Sequence, residues 1–136
     1  MRSWVRTMAV LWTLLIATSC LLPSAVFNTY SWSSLLAVDK FAHVVLYAIF
    51  ILLWGLSFKR VKGEMKTRLI LFFTAILFGV IIEFIQSAMS VGRSFEVDDM
   101  IANAIGCAIG MGLIPFIRTN ALLIKKYLPF QKKGNY

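Results

Sequence analysis

The feature that most restricts this chain is a series of four long apolar runs, at about residues 4–22, 41–58, 69–89 and 100–117. A bilayer core about 30 Å thick is crossed by about 20 apolar residues in helical conformation. Core strands of soluble proteins usually span about 4–8 residues, so runs of this length read as helices. Only Arg6 interrupts the first run, and only Glu83 the third. The composition agrees: 60% of the residues are hydrophobic and 15% charged, against about 45–50% and about 25% in soluble domains. The expected fold is all-α, one transmembrane bundle of four helices, with residues 118–136 left over as a basic tail.

Charge sets the expected orientation. With the N-terminus in the cytoplasm, Arg2, Arg6, the basic residues of 59–68 and all those from Arg118 onward fall on the inside. Only Lys40 and Arg93 fall outside. The positive-inside rule then places both termini in the cytoplasm. The acids follow the opposite pattern: Glu64 is inside, whereas Asp39, Glu83, Glu96, Asp98 and Asp99 lie outside or toward the outer helix ends. A nucleic-acid partner does not explain the net charge of +8, because a basic stacking groove needs a water-facing surface. Here the cations flank apolar spans, where they fix topology and meet anionic headgroups.

Three segments carry secondary expectations. The loop at 23–38 holds Phe27, Tyr30 and Trp32, rings that favour the headgroup level. The tail mixes Leu122, Leu123, Ile124 and Tyr127 with lysines, as a segment lying on the inner leaflet would. Arg2 and Arg6 before an apolar run ending Ala17-Thr18-Ser19-Cys20 resemble a lipoprotein signal cleaved before Cys20. Ala17 stands where such signals prefer Leu, and the reading kept is an uncleaved first helix. Cys20 and Cys107 lie in apolar runs without CxxC or Cys/His spacing and read as small buried hydrophobes.

An ionisable residue within a span costs about 2.5–3.5 kcal/mol on insertion scales, so each one asks for a role. The topology carries the polar residues to the outer helix ends. Asp39, His43 and Tyr47 share a face at i, i+4, i+8, with Lys40 beside them, and His43 is the chain's one histidine. Glu83 and Gln86 are i, i+3 neighbours, and Gly79 and Ala75 continue their face. Glu83 lies roughly 9 Å below the end of its run at 1.5 Å per residue. Asp99 and Asn103 are spaced i, i+4, and Ala102, Gly106 and Gly110 form a small-residue stripe below them. Gly112 and Pro115 are expected to bend the inner end of the last helix. The expectation is one pocket open to the outer leaflet and lined by Asp39, His43, Glu83, Gln86, Arg93, Asp99 and Asn103. Simpler roles exist for most of these residues. Asp39 and Asp99 suit helix N-termini, Arg93 a solvated loop, and Gln86 and Asn103 interhelical hydrogen bonds.

The ordered set of Asp39-Lys40, His43, Tyr47, Glu83, Gln86, Gly92-Arg93, Asp99 and Asn103-Ala104-Ile105-Gly106 resembles the VanZ-like family. The resemblance covers roughly 38–112. It implies a bacterial cytoplasmic-membrane protein connected with resistance to the lipoglycopeptide teicoplanin, the association of the family's founding member. It supplies no reaction.

From the residues, the reading is a site for a lipid-linked or anionic envelope ligand, with no nucleic acid involved. Glu83, His43 and Asp99 would be the catalytic candidates, exchanging protons as base and acid. Arg93 and Lys40 would hold an anionic head, and Asp39, Gln86, Asn103 and Tyr47 would contact the ligand. No resident cofactor is expected; a cation held by His43, Glu83 and Asp99 would be a hard one rather than zinc. Two other classes compete. In one, the polar set only locks the bundle of a non-catalytic assembly protein. In the other, Glu83 and His43 relay protons in a small transporter, although the inner half offers little polarity besides Thr67 and Thr74.

Overall fold

A computed structural model describes residues 2–21, 32–58, 64–89 and 96–127, apart from the side chains of 2, 32–38, 64 and 121–127. They form four helices and, among the described residues, no strand: α1 (Arg2–Cys20), α2 (Trp32–Ser57), α3 (Glu64–Ala88) and α4 (Val97–Tyr127). Each contains a stretch long and apolar enough to cross a membrane: Ser3–Cys20, Asp39–Ser57, Met65–Ala88 and Val97–Asn120.

The helices outrun the apolar windows at several ends, since helical hydrogen bonding does not stop where apolarity does. α2 begins at Trp32, so Asp39 lies inside the helix and is not its N-cap. Asp98 and Asp99 occupy the first turn of α4, and the Asp99 N–H donates to the Glu96 carbonyl at 3.2 Å. α4 also continues through Pro115 to Tyr127. The helix thus runs past the expected end near residue 117, and the expected tail is partly helical. Residues 22–31, between α1 and α2, which hold Phe27 and Tyr30, and 128–136 of the tail lie outside the described residues.

Burial follows an inside-out pattern suited to lipid. On α3, Ile70, Phe73, Leu77, Ile81 and Phe84 are exposed at 3–4 residue spacing, whereas Ala75, Gly79, Glu83 and Gln86 are buried. With hydrocarbon outside, apolar side chains gain little by turning inward; small residues allow close packing and polar ones must find partners.

Contacts at the helix ends fix the topology. Cys20, Asp39, Gln86 and Asp99 meet at one end, and Gly55, Arg118 and Phe58 at the other. Sequential helices are therefore antiparallel, and α2 and α4 run parallel to each other. That parallel pair shares the most extensive contact in the bundle. A Cβ at Gly106 would strike the backbone carbonyl of Val44, and one at Gly110 that of Ala48. The small-residue stripe of α4 is thus a backbone-to-backbone seam with α2.

α1 attaches mainly to α2. Trp12 Nε1 donates to the Leu46 carbonyl at 2.9 Å, and Trp54 Nε1 to Thr13 Oγ1 at 3.1 Å. α3 meets α2 through aromatic rings, with Phe50 stacked on Phe78 at 5.7 Å between centroids and Tyr47 beside both.

Candidate functional site

The end of the bundle where α1 and α3 finish and α4 starts collects the buried polar side chains. His43, Glu83, Gln86, Asp99 and Asn103 are each at most 6% exposed. Burial this deep decides their character: each must find a partner or leave an unmet polar atom.

His43 points into the bundle because Asp39, one turn earlier, stands above it on the same face of α2. Its Nδ1 lies 2.9 Å from the Asp39 backbone carbonyl and 3.9 Å from Asp39 Oδ1. A carbonyl only accepts, so Nδ1 carries the proton there. The Cys20 thiol is in hydrogen-bonding contact with the ring, and Asp99 lies within its electrostatic range. Asp39, His43 and Asp99 each bring one donor atom within 4.8 Å of the others. That set, one imidazole and two carboxylates, has the composition of a small cation site.

Lys40 pairs with Asp99 and with two further carboxylates at the start of α4. Its Nζ is 3.0 Å from Asp98 Oδ2, 3.9 Å from Glu96 Oε2 and 4.0 Å from Asp99 Oδ1. Polarity grades inward: the Asp98 side chain is 68% exposed, Glu96 39% and Asp99 9%. The exposed rim is acidic and bridged by one ammonium, and the innermost carboxylate is buried.

Glu83 reaches the same end from α3, where its Oε2 accepts the Glu96 N–H at 3.5 Å. The Tyr47 hydroxyl lies in the electrostatic range of both Glu83 and Cys20. Gln86 donates through Nε2 to the Cys20 carbonyl, tying α3 to the last turn of α1. Gly79 makes room for two polar groups: a Cβ there would sit 2.9 Å from Asn103 Nδ2 and 3.1 Å from the Tyr47 hydroxyl.

Two atoms stand out. Asp99 Oδ1 and Asn103 Oδ1 are buried with no hydrogen-bond partner among the described residues. They lie one turn apart on α4, so a single molecule carrying hydrogen-bond donors can reach both.

Of the residues singled out in the sequence, Asp39, Lys40, His43, Tyr47, Glu83, Gln86, Asp99 and Asn103 lie toward one end of the bundle, with Cys20 among them. Arg93 lies outside the described residues. The inter-helix recess that is described, lined by Gly55, Phe58, Thr67, Arg68, Leu71, Ile114 and Arg118, is at the opposite end of the bundle. Cys20 was not read as part of the site from sequence. Its signal is positional: it lies near the end of the first run, at the level of the other polar residues.

The fold and the cluster define a four-helix membrane protein with a charged group of side chains enclosed at one end. The family model for VanZ/LLP1 matches residues 3–118, and the chain belongs to that family. Comparison with curated proteins and with solved structures gives no match.

Proposed function

We propose that this protein uses the polar end of its bundle, facing outward from the bacterial cytoplasmic membrane, to recognise or modify a lipid-anchored envelope component or lipoglycopeptide. In this reading it contributes to glycopeptide (teicoplanin) resistance or to envelope homeostasis. The observation that carries the reading is the pair of buried acceptors, Asp99 Oδ1 and Asn103 Oδ1. A buried acceptor without a donor costs about 1–3 kcal/mol, and a ligand bringing hydroxyl, amide or ammonium groups removes that cost. Glycan and peptide headgroups carry such donors. The imidazole of His43 and the Glu83 carboxylate then stand beside the bound group as acid and base partners. Arg93 and Lys40 supply positive charge for a phosphate or carboxylate.

The purely structural reading is favoured by one contact, the Gln86 bond to the Cys20 carbonyl, which acts as an interhelical clasp. Glu83→Gln and Asp99→Asn separate the two, since both keep volume and hydrogen bonding while removing charge. Teicoplanin susceptibility is read together with the amount of protein in the membrane. Lost resistance at normal abundance supports a site; lost abundance supports the clasp. Wild-type behaviour in both measurements refutes the proposal. Comparing lipid headgroups by mass spectrometry, with and without the protein, then distinguishes modification from binding.

A further inference from the structure

The end of the bundle opposite the acidic cluster has a polar feature of its own. A recess is lined by the end of α2, the first half of α3 and Ile114 and Arg118 of α4. Its polar lining is Thr67 and Arg68 from α3 and Arg118 from α4; Gly55, Leu71 and Ile114 form the apolar part.

The two arginines are placed rather than loosely exposed. Arg118 Nη2 donates to the Gly55 carbonyl at 2.6 Å and to the Phe58 carbonyl at 3.1 Å, at the finishing turn of α2. Those carbonyls carry the partial negative charge of the helix end, which holds the guanidinium at the recess wall. Gly55 allows this arrangement, because a Cβ there would strike Ile114. Arg68 enters from another helix, half-buried, so the recess takes arginine lining from two helices. Planar guanidinium forks match phosphate oxygens. Exposed Phe58, Leu69 and Ile70 lie beside this end, as acyl chains would require of their neighbours. Basic recesses between membrane helices are suited to anionic headgroups.

We propose that the Arg68–Arg118 recess binds a phosphate group, presented by an anionic phospholipid of the surrounding leaflet or by a soluble phosphate. The site is independent of the acidic cluster. It secures the end of α2 to α4 and marks the leaflet in which that end resides.

The test uses the full chain in nanodiscs containing phosphatidylglycerol and phosphatidylcholine in equal amounts. Lipid retention is read by native mass spectrometry, and melting temperature is followed during titration with inorganic phosphate. Wild type is expected to retain phosphatidylglycerol preferentially. Arg68→Gln is expected to lower that preference about fivefold, the effect of roughly 1 kcal/mol per basic residue near an anionic surface. Arg68→Gln leaves the Arg118 contacts with α2 in place, so the measurement survives even if Arg118→Gln fails to fold. Lys133→Gln serves as the control for charge alone and is expected to lower the preference less than Arg68→Gln does. Stabilisation by inorganic phosphate without lipid preference, abolished in Arg68→Gln, supports the site with a soluble occupant. Equal retention of both lipids with no phosphate effect overturns the proposal. So does a preference that Arg68→Gln leaves intact, or that Lys133→Gln lowers equally.

Discussion

Replacing Gly106 by alanine tests the α2–α4 seam with one methyl group. The added Cβ would lie 3.0 Å from both the carbonyl carbon and the Cα of Val44. Carbon atoms rest at about 3.5–4.0 Å, so the two backbones must separate by roughly 0.5–1 Å at that level. A gap of that size forfeits about a quarter to a half of each dispersion contact it opens. Backbone atoms cannot rotate aside as a side-chain end would. The expected destabilisation is about 1–3 kcal/mol, the usual cost of overpacking. Gly112→Ala is the internal control, because a Cβ there meets nothing within 4 Å. It gains helix propensity, up to about 1 kcal/mol. The two variants carry the same chemical change in the same helix and should move in opposite directions. Reversible unfolding in mixed micelles, followed by tryptophan fluorescence, gives both values. Gly106→Ala as stable as Gly112→Ala would refute the seam and the parallel pairing built on it.

Four further outcomes are expected. Gly79→Ala brings a methyl to 2.9 Å from Asn103 Nδ2 and 3.1 Å from the Tyr47 hydroxyl, so it should weaken the resistance phenotype at near-normal abundance; an unchanged phenotype would remove these two groups from the site. Trp12→Phe deletes the bond to the Leu46 carbonyl and should cost about 0.6–2 kcal/mol in the same unfolding measurement, without altering the phenotype. Lys40→Gln leaves Glu96, Asp98 and Asp99 without their shared ammonium; it should lower the melting temperature, and adding Asp98→Asn should recover part of the loss. For orientation, phosphatase fused after residue 136 should be inactive and a fluorescent protein fused there should fluoresce, as a cytoplasmic C-terminus requires.

Much of this architecture is readable along the chain because lipid makes the rules local. Glu83 is conspicuous in an apolar run. His43 and Asp99 are each one turn from another polar residue, and helical spacing fixes their faces before any tertiary contact is known. The stripe of Ala102, Gly106 and Gly110 likewise announces close packing. Its partner was not legible, since nothing in the chain says that α4 seats against Val44 and Ala48 of a parallel helix. Cys20 escaped for a related reason: a thiol among leucines looks apolar until a histidine from another helix comes into contact with it. The helix ends also resisted, since Ser33 and Ser34 fall outside any hydropathy window but within α2, and Pro115 marks no break in α4. Arg118 read as a topology charge, whereas it holds the last carbonyls of α2.

The meshing of Gly106 with Val44 and of Gly110 with Ala48 works like a two-tooth key between parallel rods. One rod carries Asp39 and His43, the other Asp99 and Asn103, all on the same side of the key. Sliding by one residue would shift the two pairs by about 1.5 Å and turn one of them by about 100°. Lengthening the loops leaves the key engaged. An extra residue inserted between His43 and Val44 does not: it swings Asp39 and His43 off the shared axis while every span remains long enough to cross the bilayer.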